Sequence, residues 1–132
     1  MNVVIDTSVW SLALRRAPGV STARTLELAR LIGAGRVVML GVIRQELLTG
    51  VRSPEQFARV REHLRAFPDL EVSTADHEEA AAMSNTCRAA GVQGSAVEYF
   101  ICAVAARRRL GILTDDADFR RYAALLPINV LE

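Results

Sequence analysis

A chain of 132 residues with 51% hydrophobic and 23% charged side chains is long enough for one domain with a core, and too apolar to be disordered. Sixteen basic residues (16) against 15 acidic ones leave a formal charge of +1, which excludes a protein that holds nucleic acid by bulk charge. Every cation is arginine; that suits bidentate phosphate contact, and genome composition explains the bias equally well. Cys87 and Cys102 show no C-x-x-C spacing and lie among apolar neighbours. Free, buried, reduced thiols are expected, as in a cytoplasmic protein. No charged leader with an apolar core opens the chain, so no secretory signal is expected. The apolar run at 37–43 falls far short of the ~20 residues of a membrane helix.

Residues 3–5, VVI, are β-branched without alternation and predict a buried parallel strand. A helix over 7–14 follows, with Asp6 or Thr7 as cap, and Pro18-Gly19 break the chain. A second helix is expected over 22–32, with Leu28, Leu31 and Ile32 on one face and Gly33 and Gly35 as its stop. Residues 36–40 read as a second buried strand and 42–48 as a helix ended by Gly50. Ser53-Pro54-Glu55-Gln56 carries a cap, a first-position proline and a capping-box Gln, and opens a helix to about Phe67. Alternation predicts a short strand at 70–73, then a helix from Thr74 to Ala90. The helix from Ser95 to Arg109 is apolar almost all round and is expected to lie buried along the sheet. Residues 110–113 form a fourth strand, 119–125 a last helix and 128–131 a fifth strand. Alternating strands and helices predict one α/β domain over 1–132, with a parallel sheet of about five strands and helices on both faces. All strand carboxyl ends then share one edge, where open α/β sheets bind ligands.

Four sequence-distant segments bring an acid to that edge. Asp6 follows the first strand; a helix cap explains it about as well. Asp116 and Asp118 follow the fourth strand, where capping accounts for one better than for both, and Asp115 reads as solvent-facing. Glu46 lies beside the apolar face of its helix, within reach of the cleft; a surface glutamate is the plain alternative. Glu98 stands in Ser95-x-x-Glu98, the spacing of a capping box, which by itself would explain it. Carboxylates brought together repel one another unless a cation sits among them, and Mg²⁺ or Mn²⁺ suits oxygen-only ligation. His63 and His77 are isolated and read as surface residues, with no zinc spacing.

The stretches VVIDTSVW at 3–10, VIRQELLTG at 42–50 and AVEYFICAVAARRRLGILTDDADF at 96–119 resemble, in order and spacing, the PIN-domain family, specifically VapC-type toxins of toxin–antitoxin pairs. The resemblance implies a ribonuclease whose acids bind Mg²⁺ or Mn²⁺. By position Asp6, Glu46, Glu98 and Asp116 match the four acids; Asp118 matches a further one, Thr114 the threonine of the closing T-x-D-x-D-F pattern, and Thr7 and Ser8 the hydroxyls beside the first acid. The third acid is usually Asp; the extra methylene of Glu98 moves the carboxylate by more than ~1 Å, while Glu remains a hard oxygen ligand.

The expected chemistry is metal-assisted hydrolysis of an RNA phosphodiester. Asp6, Glu98 and Asp116 would hold the metal, Glu46 would ligate or accept a proton, and Ser8, Thr114 and Asp118 would orient them. Arg15, Arg16 and Arg107, the last within the run 107–109, are candidate RNA-phosphate contacts; a helix carboxyl end favours such cations anyway. The resemblance further implies a VapB-like antitoxin and a homodimer. The alternative is a catalytically weak or inactive PIN domain that binds RNA or antitoxin. A metal-dependent phosphatase ranks low, because Ser8 stands where a second Asp would be needed.

Overall fold

Val3–Ile5 forms strand β1, and all three side chains are fully buried. Neighbouring strand side chains point to opposite faces, so the sheet is covered on both sides. The computed structural model describes residues 1–15 and 21–132; Arg16 and the expected Pro18-Gly19 break lie outside the described residues. In chain order the elements are β1, α1 (Thr7–Arg15), α2 (Ala23–Gly33), β2 (Val37–Val38), α3 (Gly41–Leu48), α4 (Pro54–Leu64), α5 (Thr74–Ala89), α6 (Ala96–Arg108), β3 (Gly111–Leu113), α7 (Asp118–Ala123) and β4 (Asn129–Val130). The strands pair in the order β2-β1-β3-β4, all parallel. From β1 the chain builds outward on one side to β2 and on the other to β3. The crevice beyond the carboxyl ends of β1 and β3 is therefore the sheet's switch point.

The expected strand at 70–73 is replaced by a single bridge from Asp69 to Met39, with Leu70 N–H donating to the Met39 carbonyl at 2.8 Å. Its alternating pattern lacked burial: Val72 is 40% exposed, and Ser73 turns to cap α5. Among the described residues the sheet thus has four strands where about five were expected. Ile32 is also exposed, while Leu28 and Leu31 of α2 are buried as expected. Phe67 lies beyond the end of α4 and meets the buried Trp10 edge to face, their rings 5.2 Å apart.

The centre of the core is α6. Residues 99–105 are all buried, and α5 packs along this helix. Cys87 and Cys102 are free and buried, as expected. Burial pushes the Cys102 thiol up to about 12, the charges nearby adding to it. No described helix is long and apolar enough to cross a membrane.

Candidate metal centre

The β1–β3 ladder runs one bond past the strands, Asp6 N–H donating to the Leu113 carbonyl at 2.8 Å. This sets Asp6 beside Thr114 at the carboxyl edge. The Asp6 carbonyl opens α1 by accepting from Val9 and Trp10 N–H, while its side chain caps no helix N–H among the described residues. Asp6 Oδ2 accepts instead from Ser8 Oγ at 2.7 Å and Thr114 Oγ1 at 2.8 Å. Each hydroxyl also accepts a backbone N–H from the loop after β3: Ser8 Oγ from Asp115 at 3.0 Å, Thr114 Oγ1 from Asp116 at 2.9 Å. Two hydroxyls therefore bind one acid to the loop that carries the next. Asp6 is only 6% exposed, and Oδ1 has no donor among the described residues.

The loop after β3 folds on its own acids. Asp118 N–H donates to Asp116 Oδ1 at 2.9 Å, which fixes the Asp116 carboxylate against the start of α7. Asp115 is exposed. Glu98 approaches from the first turn of α6. It closes the capping box, with Oε1 accepting from Ser95 N–H at 3.0 Å while Ser95 Oγ accepts from Glu98 N–H at 3.1 Å. The cap and the acid site are thus one residue doing both. Tyr122 of α7 also donates to Glu98 Oε1, at 2.8 Å. Burial first, then this hydrogen bond, push the Tyr122 phenol far above its ordinary range, so it keeps the proton it donates.

Glu98, Asp116 and Asp118 each offer a carboxylate oxygen within 4.8 Å of the others. Ligand oxygens about a six-coordinate Mg²⁺ stand up to ~4.2 Å apart, and carboxylates alone make the hard donor set that Mg²⁺ or Mn²⁺ selects. The residues present therefore fit such an ion. Sequence reasoning gave the ligand roles to Asp6, Glu98 and Asp116 and left Asp118 outside them. The structure puts Asp118 in the trio and Asp6 beside it, linked through Thr114. Glu46 is exposed and stands outside the trio; Thr7 Oγ1 donates to its Oε1 at 2.6 Å, tying α3 to the residue after Asp6.

The arginines divide. Arg107 Nε donates to Asp76 at 2.9 Å, and Arg108 reaches both oxygens of the same carboxylate at 2.7 and 2.8 Å. Asp76 is fully buried, so this run neutralises an internal charge as well as ending α6. Arg15 is exposed, its Nε donating to the Ser11 carbonyl at 3.3 Å. Sequence reasoning missed Arg24 and Arg120, which line a cavity of about 200 Å³ with Thr114, Asp115 and Asp116. Nothing local marks Arg24, whose nearness to the acids is purely a matter of tertiary packing. Arg120 directly follows the closing acid block and was findable from that position.

The PIN domain family model matches residues 3–125. No curated protein matches the chain in sequence. Among solved structures it is similar to DNA-bound VapBC from Salmonella typhimurium, with 15% identity and a TM-score of 0.80 over 99% of this chain and 97% of that one. It is similar to FitAcB from Neisseria gonorrhoeae at 18% identity and a TM-score of 0.77, over 98% and 96%. It is also similar to VapBC-5 from Mycobacterium tuberculosis, a member of the VapBC family of toxin-antitoxin systems, at 21% identity and a TM-score of 0.70, over 100% and 99%.

Proposed function

Since the chain belongs to the PIN domain family, we propose that it is a toxin-type endoribonuclease that hydrolyses RNA phosphodiester bonds and is neutralised by a VapB-like antitoxin. One observation carries the reading: Glu98, Asp116 and Asp118 converge beside Asp6 at the β1–β3 switch point. The VapBC and FitAcB likenesses support the fold on which it rests. Asp6, Glu98, Asp116 and Asp118 would hold a divalent cation, Mg²⁺ or Mn²⁺. When bound, it would lower the pKa of a coordinated water and neutralise charge on the scissile phosphate.

The remaining roles fall to the chain's own groups. Ser8 and Thr114 fix the Asp6 carboxylate by donating to one oxygen, Oδ2, which leaves Oδ1 without a donor among the described residues. Glu46, steadied by Thr7 at Oε1, would accept a proton or reach a bound cation through water. Arg15, Arg24 and Arg120 contact RNA phosphates; Arg107 has a weaker claim, with Asp76 already binding it. An apolar groove of about 410 Å³ lined by Val42, Ala80, Ala81, Val97 and Phe100 adjoins, through Val42 and Val97, the recess holding Glu46. That continuity makes it our docking site for an apolar antitoxin segment whose basic side chain reaches the acids. A homodimer and a cytoplasmic setting belong to the same reading.

The test is cleavage of a mixed RNA substrate by antitoxin-free protein with Mg²⁺ or Mn²⁺, with EDTA, and with Asp6→Asn. Cleavage is expected only with metal and is expected to fall by 10²-fold or more in the variant. Equal background in every lane from a folded sample would overturn it, leaving a non-catalytic module that binds RNA or antitoxin.

A further inference from the structure

Glu98 Oε1 receives two donors from two different elements, Ser95 N–H at the start of α6 and the Tyr122 hydroxyl of α7. The backbone donor anchors the carboxylate to its own helix. The phenol ties it to the helix that begins with Asp118, a member of the same trio. With Oε1 held twice, Oε2 is left without a donor among the described residues. Tyr122 itself is fully buried against Tyr99 and Phe119, their rings 5.1 and 5.4 Å away, so its hydroxyl has little freedom to wander.

The ring reaches this position only because residue 94 has no side chain. A Cβ on Gly94 would stand 2.2 Å from the Tyr122 oxygen and 2.7 Å from its Cζ. Gly94 is not among the positive-φ glycines, so what it supplies is space rather than an unusual backbone. A glycine, a buried phenol and a capping-box glutamate therefore meet at one carboxylate oxygen.

We propose that Tyr122, admitted by Gly94, is a positioning residue that sets the reach and plane of the Glu98 carboxylate, so that Oε2 is the atom presented to the cation. This rests on the metal-centre reading of Glu98. Outer hydrogen bonds of this kind orient ligands, and their removal typically weakens metal binding by about 10-fold or more. The role depends on the length of Glu98, because an aspartate there would stop short of the hydroxyl.

Mn²⁺ affinity, followed by the electron-spin-resonance signal of the free ion, tests this in RNA-free protein, with thermal melting of each variant alongside. Glu98→Ala is expected to weaken binding strongly; if it binds as tightly as the parent, the metal reading of Glu98 fails and takes the proposal with it. Tyr122→Phe is expected to weaken binding by about 10-fold, and to add nothing further in a Glu98→Asp background. Parent-like binding by Tyr122→Phe, beside a weakened Glu98→Ala, would overturn the positioning role and leave the metal centre standing. An equal loss in both backgrounds would mark Tyr122 as packing alone and would also overturn it. Gly94→Ala, which keeps the phenol but displaces it, is expected to match Tyr122→Phe and decides the matter if that variant does not fold.

Discussion

Asp76 is the acid whose environment is most altered, and it lies outside the cleft. The Arg108 guanidinium, then the Ser73 N–H and Arg107, hold its carboxyl far below the usual carboxylate range against the cost of its burial. A depressed carboxylate contributes stability that is fully present above its unfolded pKa, near ~3.9, and is lost as pH falls through the lower folded value. Acid unfolding below about pH 4 is therefore expected to draw on this group. Asp76→Asn is expected to cost about 2–3 kcal/mol by urea denaturation at neutral pH, less than a fully buried pair because both arginines are partly exposed. The same variant should show a flatter fall of melting temperature between about pH 4 and 2; an unchanged acid limb would count against the assignment. The sequence reading put Ser73 at the end of a strand and began the helix at Thr74, with no sign of the Ser73–Asp76 cap. The arginines that bind Asp76 stand 31 and 32 residues further on, a separation no local pattern records.

Elements with one-sided chemistry were the most legible. VVI at β1 and the apolar run of α6 have no polar face to offer solvent, so burial was their only outcome. Residues 70–73 were misread because alternation describes a half-buried strand and an exposed connector equally well. The helix ending in Arg107-Arg108-Arg109 was placed correctly, but its stop was not explained. Arg109 closes it in the left-handed conformation, at φ 54° and ψ 46°, where a side chain costs about 1 kcal/mol and glycine costs nothing. Arg109→Gly is accordingly expected to raise stability by up to about 1 kcal/mol in thermal or urea melts, partly offset by the freer unfolded chain. Its Mn²⁺ binding should stay unchanged, since the helix start that carries Glu98 lies at the opposite end. Capping chemistry had made Glu98 ambiguous in the sequence, and the ambiguity was real: the residue serves the cap and the acid trio together.

Across the whole molecule, strand order decides what the acids can do. A near-neutral chain cannot attract RNA by its total charge, so on the proposed reading contact would come from placed arginines. Arg24→Ala and Arg120→Ala are expected to weaken binding of short single-stranded RNA by several-fold each and to lower the salt slope by about 1 apiece. Filter binding from low to moderate salt would show this, and an unchanged slope would exclude the cavity they line from the RNA path. What was legible is that β1 and β3 end side by side, which sets Asp6 next to the loop carrying Asp116; Glu46, expected with them, stands outside the trio. The grouping within that edge was not: Asp118 entered the trio through a turn onto Asp116, and Asp6 stayed beside it through shared hydroxyls.

The bond from Asp6 N–H to the Leu113 carbonyl makes the first acid the last rung between the two fully buried strands. Its amide should exchange with deuterium as slowly as those of Val4 and Ile112, by global opening alone. On that expectation the Asp6 backbone comes into place together with the β1–β3 core rather than after it. On the proposed reading an antitoxin would then meet a site already formed, and would act by covering it.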